Sequence, residues 1–183
     1  MFTLVAQHST LKLAVVGALL ASVVIATRSA RSGGAKVLDL GAVLAFVGFT
    51  VVAFGADPAT AAFVDRYARA IAAGLLALIA FGSLLVVPFT EQYARESTPR
   101  EVWNSPVFRA VNRRISAVFG AAVLAMAASH IYSGYLEAHH ELSRRENLVL
   151  NWAIPIVLIL LALKFVDRVT EENTTPTPTP TIA

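Results

Sequence analysis

The stretch that decides the fold is VLDLGAVLAFVGFTVVAFG, residues 37–55, in which Asp39 is the one ionisable side chain. A helix of roughly 17–25 predominantly apolar residues spans the hydrocarbon core of a bilayer. The apolar residues here do not alternate with polar ones, and lipid admits only helices or closed barrels as spanning structures. We therefore predict a membrane-spanning helix over this stretch.

Four other stretches have a similar length and apolar character. Together the five predicted spans cover residues 11–27, 37–55, 68–89, 115–136 and 148–166. The predicted fold class is all-α: a polytopic transmembrane helix bundle over residues 1–170, with a short interfacial helical segment between spans three and four. The final TTPTPTPTIA sequence has no core-forming residues, so residues 171–183 are expected to form a disordered Thr/Pro tail.

Composition favours a membrane protein over a soluble one. Of the 183 residues, 56% are hydrophobic and 15% are charged, whereas soluble domains are about 45–50% apolar and about 25% charged. A single domain of this length has too high a surface-to-volume ratio to hide so much apolar surface from water. The chain contains no cysteine, which excludes disulfides, thiolate metal sites and cysteine nucleophiles.

The net charge of +3 does not indicate nucleic-acid binding, because the basic residues lie between the apolar runs and not along one patch. These residues instead indicate topology. With the N-terminus outside, ten of the fifteen basic residues fall on the cytoplasmic side and five on the outer side. The positive-inside rule then predicts a multi-pass protein of the cell (inner) membrane, with its N-terminus outside and its C-terminus in the cytoplasm.

Capping residues followed by proline mark the helix starts. The Asp-Pro pair at residues 57–58 predicts that the third helix begins before its apolar part, and the Ser-Pro pair at residues 105–106 starts the fourth. The sequence TPRE at residues 98–101 has the spacing of a capping box. We therefore expect residues 90–114 to be ordered and helical in short pieces.

Small side chains recur at every fourth position of the fourth span. This stripe consists of Ala117, Ala121, Ala125, Ser129 and Ser133. Small residues let helix backbones approach closely in a membrane, where packing drives association. The stripe indicates packing within the bundle, and homodimerisation through the same face is the alternative.

Histidines and glutamates gather at the predicted outer end of the fourth span. The candidate metal ligands are His130, Glu137, His139, His140 and Glu141. Imidazole and carboxylate groups suit zinc and similar ions, but this spacing matches no recognised ligand motif, and a solvated loop accounts for the same residues. A second axial histidine for haem is missing from the other predicted spans. We predict no cofactor.

The polar residues within the spans are also candidates for a pocket or a polar path. They are Asp39, Ser129, His130, Asn151 and Pro155. Proline inside a span kinks the helix and frees the carbonyl four residues earlier, here that of Asn151, so a pocket beside it is one interpretation. The alternative is a kink that only shapes the helix, with His130 hydrogen-bonded to a neighbouring span.

Acids, arginines and aromatic residues are mixed in the connector between spans three and four. The candidates for a lipid-headgroup or partner-binding surface are Tyr93, Arg95, Glu96, Trp103, Phe108 and Arg113. Aromatic rings favour the headgroup zone of a bilayer, and arginine side chains reach from it to phosphates. Docking of another protein would use the same side chains.

Three motifs stand out: PFTEQYARE at residues 88–96, PREVWNSPVF at residues 99–108 and NWAIPI at residues 151–156. They resemble a family of uncharacterised prokaryotic polytopic membrane proteins of about five spans. The Asn-Arg pair at residues 112–113 that follows the aromatic residues is also similar to the helix entry of intracellular septation proteins of the bacterial inner membrane. The first resemblance implies a multi-span fold without known site residues. The second implies a role in envelope maintenance or division.

Three hypotheses for function remain at this point. We expect a structural or partner-binding component of an envelope complex, in contact with the lipid bilayer and with other membrane proteins or a second copy. The first alternative is a small transporter or channel for a neutral or apolar solute, because charge is sparse in the spans. The second is a metal- or haem-dependent membrane enzyme at the histidine-rich end, although no reactive constellation identifies an enzyme.

Overall fold

The structure is a computed structural model that describes the backbone of residues 2–174 and the side chains of residues 12–172. In chain order its elements are α1 (Phe2–Ser32), α2 (Val37–Gly55), α3 (Pro58–Ser83), α4 (Phe89–Ala94), a 3-10 turn (Arg100–Val102), α5 (Pro106–His139), α6 (Arg144–Leu148), a π-helical turn (Val149–Ala153) and α7 (Ile154–Thr174). Every regular element within residues 2–174 is helical, which confirms the all-α class.

Four helical segments of the described chain are long and apolar enough to cross a membrane: Lys12–Ser32, Val37–Gly55, Pro106–His139 and Arg144–Glu172. The third predicted span is not among them. Its helix, α3, carries Asp65, Arg66 and Arg69 in its first half, and only residues 70–83 follow before the helix ends. At 1.5 Å per residue this apolar part measures about 21 Å, which is shorter than a bilayer core.

The end of α3 differs from the prediction. The helix stops at Ser83 and does not continue to residue 89. Proline disfavours helical backbone in the residue before it, so the chain turns ahead of Pro88. The Phe89 N–H then donates to the Ser83 hydroxyl at 3.0 Å, which ties the start of α4 to the end of α3.

The last helix also differs from the prediction, whereas α2 occupies residues 37–55 as predicted. Residues 144–174 are helical throughout, beginning with α6 and passing through the π-helical turn into α7. Residues 171–174 therefore belong to a helix and not to the predicted tail. The remainder of that tail lies outside the described residues.

Two predicted helix caps are present. The carboxylate of Asp57 accepts from the backbone N–H groups of Ala59 and Thr60 at 2.9 and 3.1 Å. Hydrogen bonds from Thr60, its side chain first, lower the pKa of Asp57. At the start of α5 the Ser105 hydroxyl accepts from the Phe108 N–H at 3.1 Å. Both caps satisfy backbone donors that a helix start leaves unpaired.

The capping box predicted at residues 98–101 does not form. Pro99 precedes the 3-10 turn there, and no side chain caps that turn. The structure places a capping box at the start of α6 instead. Ser143 and Glu146 each bond the other's backbone N–H, at 3.2 and 2.9 Å. The segment from residue 90 to α5 is nevertheless helical in short pieces, as predicted.

The long helices pack side by side in a row. The main contacts join α1 to α2, α2 to α3, α3 to α5 and α5 to α7, while α4 packs on α5. The helices α1 and α7 therefore form the edges of the row, and α3 and α5 form its centre. We call the end that holds residues 33–36 and 84–105 the connector face, and the end that holds residues 140–143 the opposite face.

Small residues line the contact between α3 and α5. The buried residues of the two helices include Ala70, Ala77 and Ala80 on α3 and Ser116, Gly120 and Gly134 on α5. A Cβ on Gly134 would lie 2.5 Å from the Tyr67 ring, and a Cβ on Gly120 would lie 3.2 Å from the Phe81 ring. Each glycine therefore admits an aromatic ring from α3, which brings the two helices close together.

The packing face of α5 is offset from the predicted stripe. Ala121 and Ala125 are exposed, and of the five predicted positions only the last is buried. In the first half of α5 the buried face runs one position earlier, through Asn112, Ser116 and Gly120. Thr90 of α4 accounts for the offset, because its hydroxyl donates to the Asn112 carbonyl at 2.8 Å and lies 2.8 Å from the Ser116 hydroxyl.

Candidate functional site

An interhelical polar cluster joins α5 to the last helix near the opposite face. It consists of Ser129, His130, Ser133, Asn147 and Asn151. The amide nitrogen of Asn151 donates to the Ser133 hydroxyl and to the Asn147 side-chain oxygen, both at 2.8 Å. The amide oxygen of Asn151 lies 2.8 Å from Nδ1 of His130. Asn151 thus engages both its donors and its acceptor.

This geometry determines where His130 carries a proton. The amide nitrogen of Asn151 is directed at Ser133 and Asn147, so the atom that faces the ring is the amide oxygen. An amide oxygen only accepts hydrogen bonds, so this orientation of the amide favours the tautomer in which Nδ1 of His130 is protonated and donates. The structure places His130 in a hydrogen bond between neighbouring helices, which is one of the two interpretations of the sequence.

The π-helical turn and Pro155 leave one backbone carbonyl without a helical partner. In the turn, the Ile154 N–H donates to the Val149 carbonyl, five residues earlier. In the same pattern the N–H of residue 155 would donate to the Leu150 carbonyl. Residue 155 is a proline, however, and has no N–H. The Ser129 hydroxyl donates to the Leu150 carbonyl at 2.8 Å instead. The Leu150 carbonyl, which lies one residue before the predicted position, is thus satisfied by α5.

The candidate metal ligands lie mostly around one cavity at the opposite face. Its volume is about 730 Å³, and its lining includes Glu137, His139, His140, Glu141 and Asn151. Nδ1 of His139 lies 2.7 Å from the carbonyl oxygen of Tyr135, in its own helix. Within the described residues, no three histidine, aspartate or glutamate side chains form a group able to hold a metal ion. The cavity is therefore a polar recess and gives no geometric basis for a metal site.

Asp39 is one of the five residues of the predicted polar path, and it lies apart from the other four. It is in the first turn of α2 at the connector face, where one carboxylate oxygen accepts from the Tyr93 hydroxyl at 3.1 Å. His130 lies 24 residues beyond Pro106, where α5 begins at that same face. Asp39 is therefore bonded to the connector, whereas Ser129, His130 and Asn151 form hydrogen bonds between α5 and the last helix near the opposite face. The predicted path residues thus form two separate groups.

A second group, the connector cluster, fixes α4 against the start of α2. It consists of Lys36, Asp39, Gln92, Tyr93 and Glu96. The ammonium group of Lys36 is 2.7 Å from Glu96 and 4.2 Å from the centre of the Tyr93 ring. The Gln92 side-chain oxygen accepts from the Val37 N–H at 2.9 Å and so satisfies a donor at the start of α2. These contacts make the connector a rigid part of the fold.

Burial raises the pKa of Tyr93 to about 12, and the negative charge of Asp39, its hydrogen bond to the phenol and the charge of Glu96 act in the same direction. All of these effects favour the neutral phenol. The hydroxyl therefore keeps its proton and its bond to Asp39 throughout the physiological pH range. The second carboxylate oxygen of Asp39 is buried and has no hydrogen-bond partner among the described residues.

The six residues of the predicted headgroup or partner surface divide into different environments. Tyr93 and Glu96 face α2, as described above. Arg95 pairs with the buried Glu91 at 2.6 Å and lies over the ring of Trp103 at 5.2 Å. The indole N–H of Trp103 donates to the carbonyl of Thr98 at 2.9 Å. Phe108 lies in the capped first turn of α5, and Arg113 lines a cavity beside the connector.

The sequence contains signals for three residues of these clusters and of the cavity beside the connector that were not predicted as site residues. Asn147 precedes Asn151 by four positions, which places both on one helix face. Ser133 was expected only as a small packing residue, and its hydroxyl bonds Asn151. Arg109 precedes Arg113 by four positions in the same way and lines the same cavity. Which of these faces meets another helix depends on tertiary packing.

Compared with protein-family models, with curated proteins and with solved structures, the chain gives no match. The geometry of its described part is that of an all-helical protein with four helices able to cross a membrane.

Proposed function

We propose that this protein is a structural component of the cell (inner) membrane that binds another membrane protein in an envelope complex. The observation that carries the proposal is the ordered connector, which the Lys36–Glu96 ion pair and the Gln92–Val37 hydrogen bond fix against the helix row. A connector held in this way presents a preformed surface outside the bilayer, and a preformed surface lowers the entropy cost of binding a partner.

The interhelical polar cluster supports the same function. Asn151 joins His130 and Ser133 of α5 to the last helix, and Ser129 satisfies the carbonyl that Pro155 leaves free. These hydrogen bonds serve helix association, which is a common use of polar residues inside membranes. A solute path would need polar groups that follow one another along the membrane depth, whereas Asp39 bonds Tyr93 of the connector and His130 bonds Asn151 of the last helix.

The proposed topology has five spans, with α3 as the fifth, the N-terminus outside and the C-terminus in the cytoplasm. The position of α3 supports this, because it packs between α2 and α5 at the centre of the row. Its arginines, Arg66 and Arg69, lie in its first half, where a partly embedded helix would hold them near the outer interface. The connector face is then cytoplasmic.

Cysteine labelling tests this topology, since the chain contains no native cysteine. Single cysteines replace Ala56, Ser97 and Glu141, and intact cells are treated with a membrane-impermeant maleimide. We expect labelling of Ala56→Cys and Glu141→Cys and protection of Ser97→Cys until the cells are permeabilised. If the cysteines at positions 56 and 97 are accessible from the same side, α3 does not cross the membrane.

Copurification tests the proposed function. The protein, tagged and purified from its own host in mild detergent, should retain a second membrane protein that native mass spectrometry resolves as a defined complex. Trp103→Ala, which removes the bond to Thr98 and the ring beneath Arg95, should weaken the complex. Trp152→Ala is the matched control, because Trp152 lies in the π-helical turn and away from the connector. Monomer alone across several expression levels contradicts the proposal.

A further inference from the structure

A basic cavity opens at the connector face between the connector and α5. Its volume is about 340 Å³, and its lining consists of Val86, Val87, Pro88, Glu91, Arg95, Arg109, Ala110 and Arg113. The lining thus contains three guanidinium groups and one carboxylate. The carboxylate is that of Glu91, which is already paired with Arg95 at 2.6 Å. The remaining positive charge lies on Arg109 and Arg113, both of which are exposed.

The arginines present donors suited to a phosphate group. Arg109 and Arg113 are four residues apart on α5 and therefore project from the same helix face. Nη2 of Arg109 donates to the side-chain oxygen of Asn104 at 2.8 Å. This bond orients the guanidinium group beside the cavity and leaves its other N–H donors available. A planar guanidinium group can donate two parallel hydrogen bonds to two oxygens of one phosphate. Several guanidinium groups around one recess therefore favour a phosphate group bound in this bidentate way.

The apolar wall of the cavity indicates where such an anion comes from. Leu85 and Val86, in the turn that follows α3, are 87% and 86% exposed. They are the most exposed of the large apolar side chains in the described part of the chain, and Val86 also lines the cavity. A phosphate beside an apolar surface at the end of spanning helices is the chemistry of a phospholipid, with the headgroup on the arginines and the acyl chains along the turn.

From this arrangement we infer that the cavity binds the headgroup of an anionic phospholipid through Arg109 and Arg113, with Arg95 at its inner side. The Glu91–Arg95 pair positions the inner guanidinium, and the buried Nε of Arg95 has no partner of its own among the described residues. This inference requires the connector face to lie at the membrane surface, but it is independent of any protein partner.

Native mass spectrometry of the purified full-length protein tests the inference with two lipids of identical acyl chains. The probes are dioleoylphosphatidylglycerol, which is anionic, and dioleoylphosphatidylcholine, which is zwitterionic. We expect phosphatidylglycerol to bind the wild-type protein at least about fivefold more tightly, because the net positive lining favours the anion. Equal binding of the two lipids overturns the inference, and this comparison requires no variant.

The double variant Arg109→Gln/Arg113→Gln locates the site. We expect its phosphatidylglycerol affinity to fall to the level of phosphatidylcholine, with helix content unchanged by circular dichroism. The matched control, Arg144→Gln/Arg145→Gln, removes the same charge from α6 near the opposite face and should retain wild-type selectivity. Selectivity that survives in the first variant, or disappears equally in both, overturns the assignment to this cavity. If the double variant does not fold, Arg113→Gln alone is compared with Arg145→Gln under the same criterion.

A competition experiment distinguishes a lipid headgroup from a soluble anion. Inorganic phosphate in large molar excess should leave phosphatidylglycerol bound, because the acyl chains contribute contacts along Leu85 and Val86 that phosphate lacks. Displacement of the lipid by inorganic phosphate would mean that the cavity recognises phosphate alone, and the lipid assignment would be wrong.

Discussion

The Ser129 hydroxyl donates a 2.8 Å hydrogen bond to the backbone carbonyl of Leu150, across the interface between α5 and the last helix. The Leu150 carbonyl needs this partner because position 155 would supply its next backbone donor in the π-helical pattern. That position is occupied by proline, which has no N–H. A helix irregularity on one span is thus compensated by a side chain on another. Packing of the two helices and the shape of the turn therefore depend on each other.

Ser129→Ala should lower the free energy of unfolding by about 1–2 kcal/mol, because it leaves the part-buried Leu150 carbonyl without a donor. The measurement is denaturant unfolding of the detergent-solubilised protein followed by circular dichroism. Thr50→Ala is the control. Its hydroxyl donates to the Phe46 carbonyl of the same helix, at 2.7 Å, and we expect a loss below about 0.5 kcal/mol.

The variant Pro155→Ala extends this test into a double-mutant cycle. The substitution restores a backbone N–H at this position, and that N–H can serve the Leu150 carbonyl. Ser129→Ala should therefore destabilise the Pro155→Ala background less than it destabilises the wild type. An interaction free energy of about 0.5 kcal/mol or more is expected for residues that share one acceptor. Strictly additive effects would show that Ser129 and Pro155 act independently.

Asn151→Leu should destabilise the fold by about 1–2 kcal/mol, because His130 and Ser133 lose their common partner. Asn147→Leu is the comparison, since it removes one exposed bond to the same amide, and its effect should be smaller. Nitrogen NMR of labelled histidine supplies a second measurement. His130 should show a protonated Nδ1 in the wild type, and that signal should change in Asn151→Leu and persist in Asn147→Leu.

Gly134→Ala should weaken the contact between α3 and α5 and destabilise the protein by about 1–3 kcal/mol, because the new methyl group overlaps the Tyr67 ring. The ring has little room to move, since it also packs on Phe63 with centroids 4.8 Å apart. Gly74→Ala in α3 is the control: its methyl group meets nothing within 4 Å, so the change should be neutral or slightly stabilising. Equal effects of the two substitutions would contradict the close approach at Gly134.

Tyr93 should titrate above the ordinary pKa of a phenol and make stability depend on alkaline pH. Its pKa is raised from the ordinary 10.0 to about 12 in the folded protein. The unfolded chain therefore releases this proton first, and between these two values the folded state binds more protons. The contribution of the phenol to stability is complete below pH 10 and declines as the pH rises through 12. Near-ultraviolet absorbance of the phenolate follows the titration.

Tyr93→Phe provides the control for this titration. It should remove the phenolate step near pH 12 from the absorbance curve, whereas Tyr135→Phe should leave that step in place. A curve in which Tyr93→Phe removes an earlier step would show that the phenol is not held by Asp39.

The sequence predicted particular elements correctly where local chemistry decides them. The apolar run of residues 37–55 predicted both boundaries of α2. The caps at Asp57 and Ser105 predicted the starts of α3 and α5. Such features depend on side-chain length, hydrogen-bonding groups and the missing N–H of proline, all of which act within one turn of the helix.

The position of the polar residues was predictable, but their partners were not. His130 and Asn151 were candidates because ionisable and polar groups are rare in spans. Their pairing required α5 and the last helix to be neighbours in the correct rotation, and an apolar helix carries little information about its rotation. For the same reason the packing face in the first half of α5 was predicted one position too late, where Thr90 of α4 bonds Asn112 and Ser116.

The run at residues 37–55 by itself determines that this chain is a helical protein suited to a membrane, because the cost of exposing such a segment to water is independent of its neighbours. Tertiary structure decided the rest: the row order of the helices, the bond from Ser129 to the Leu150 carbonyl, and the separation of Asp39 from His130. These features arise from contacts between segments far apart in the sequence, and the free energy of each contact exists only once both helices are in place.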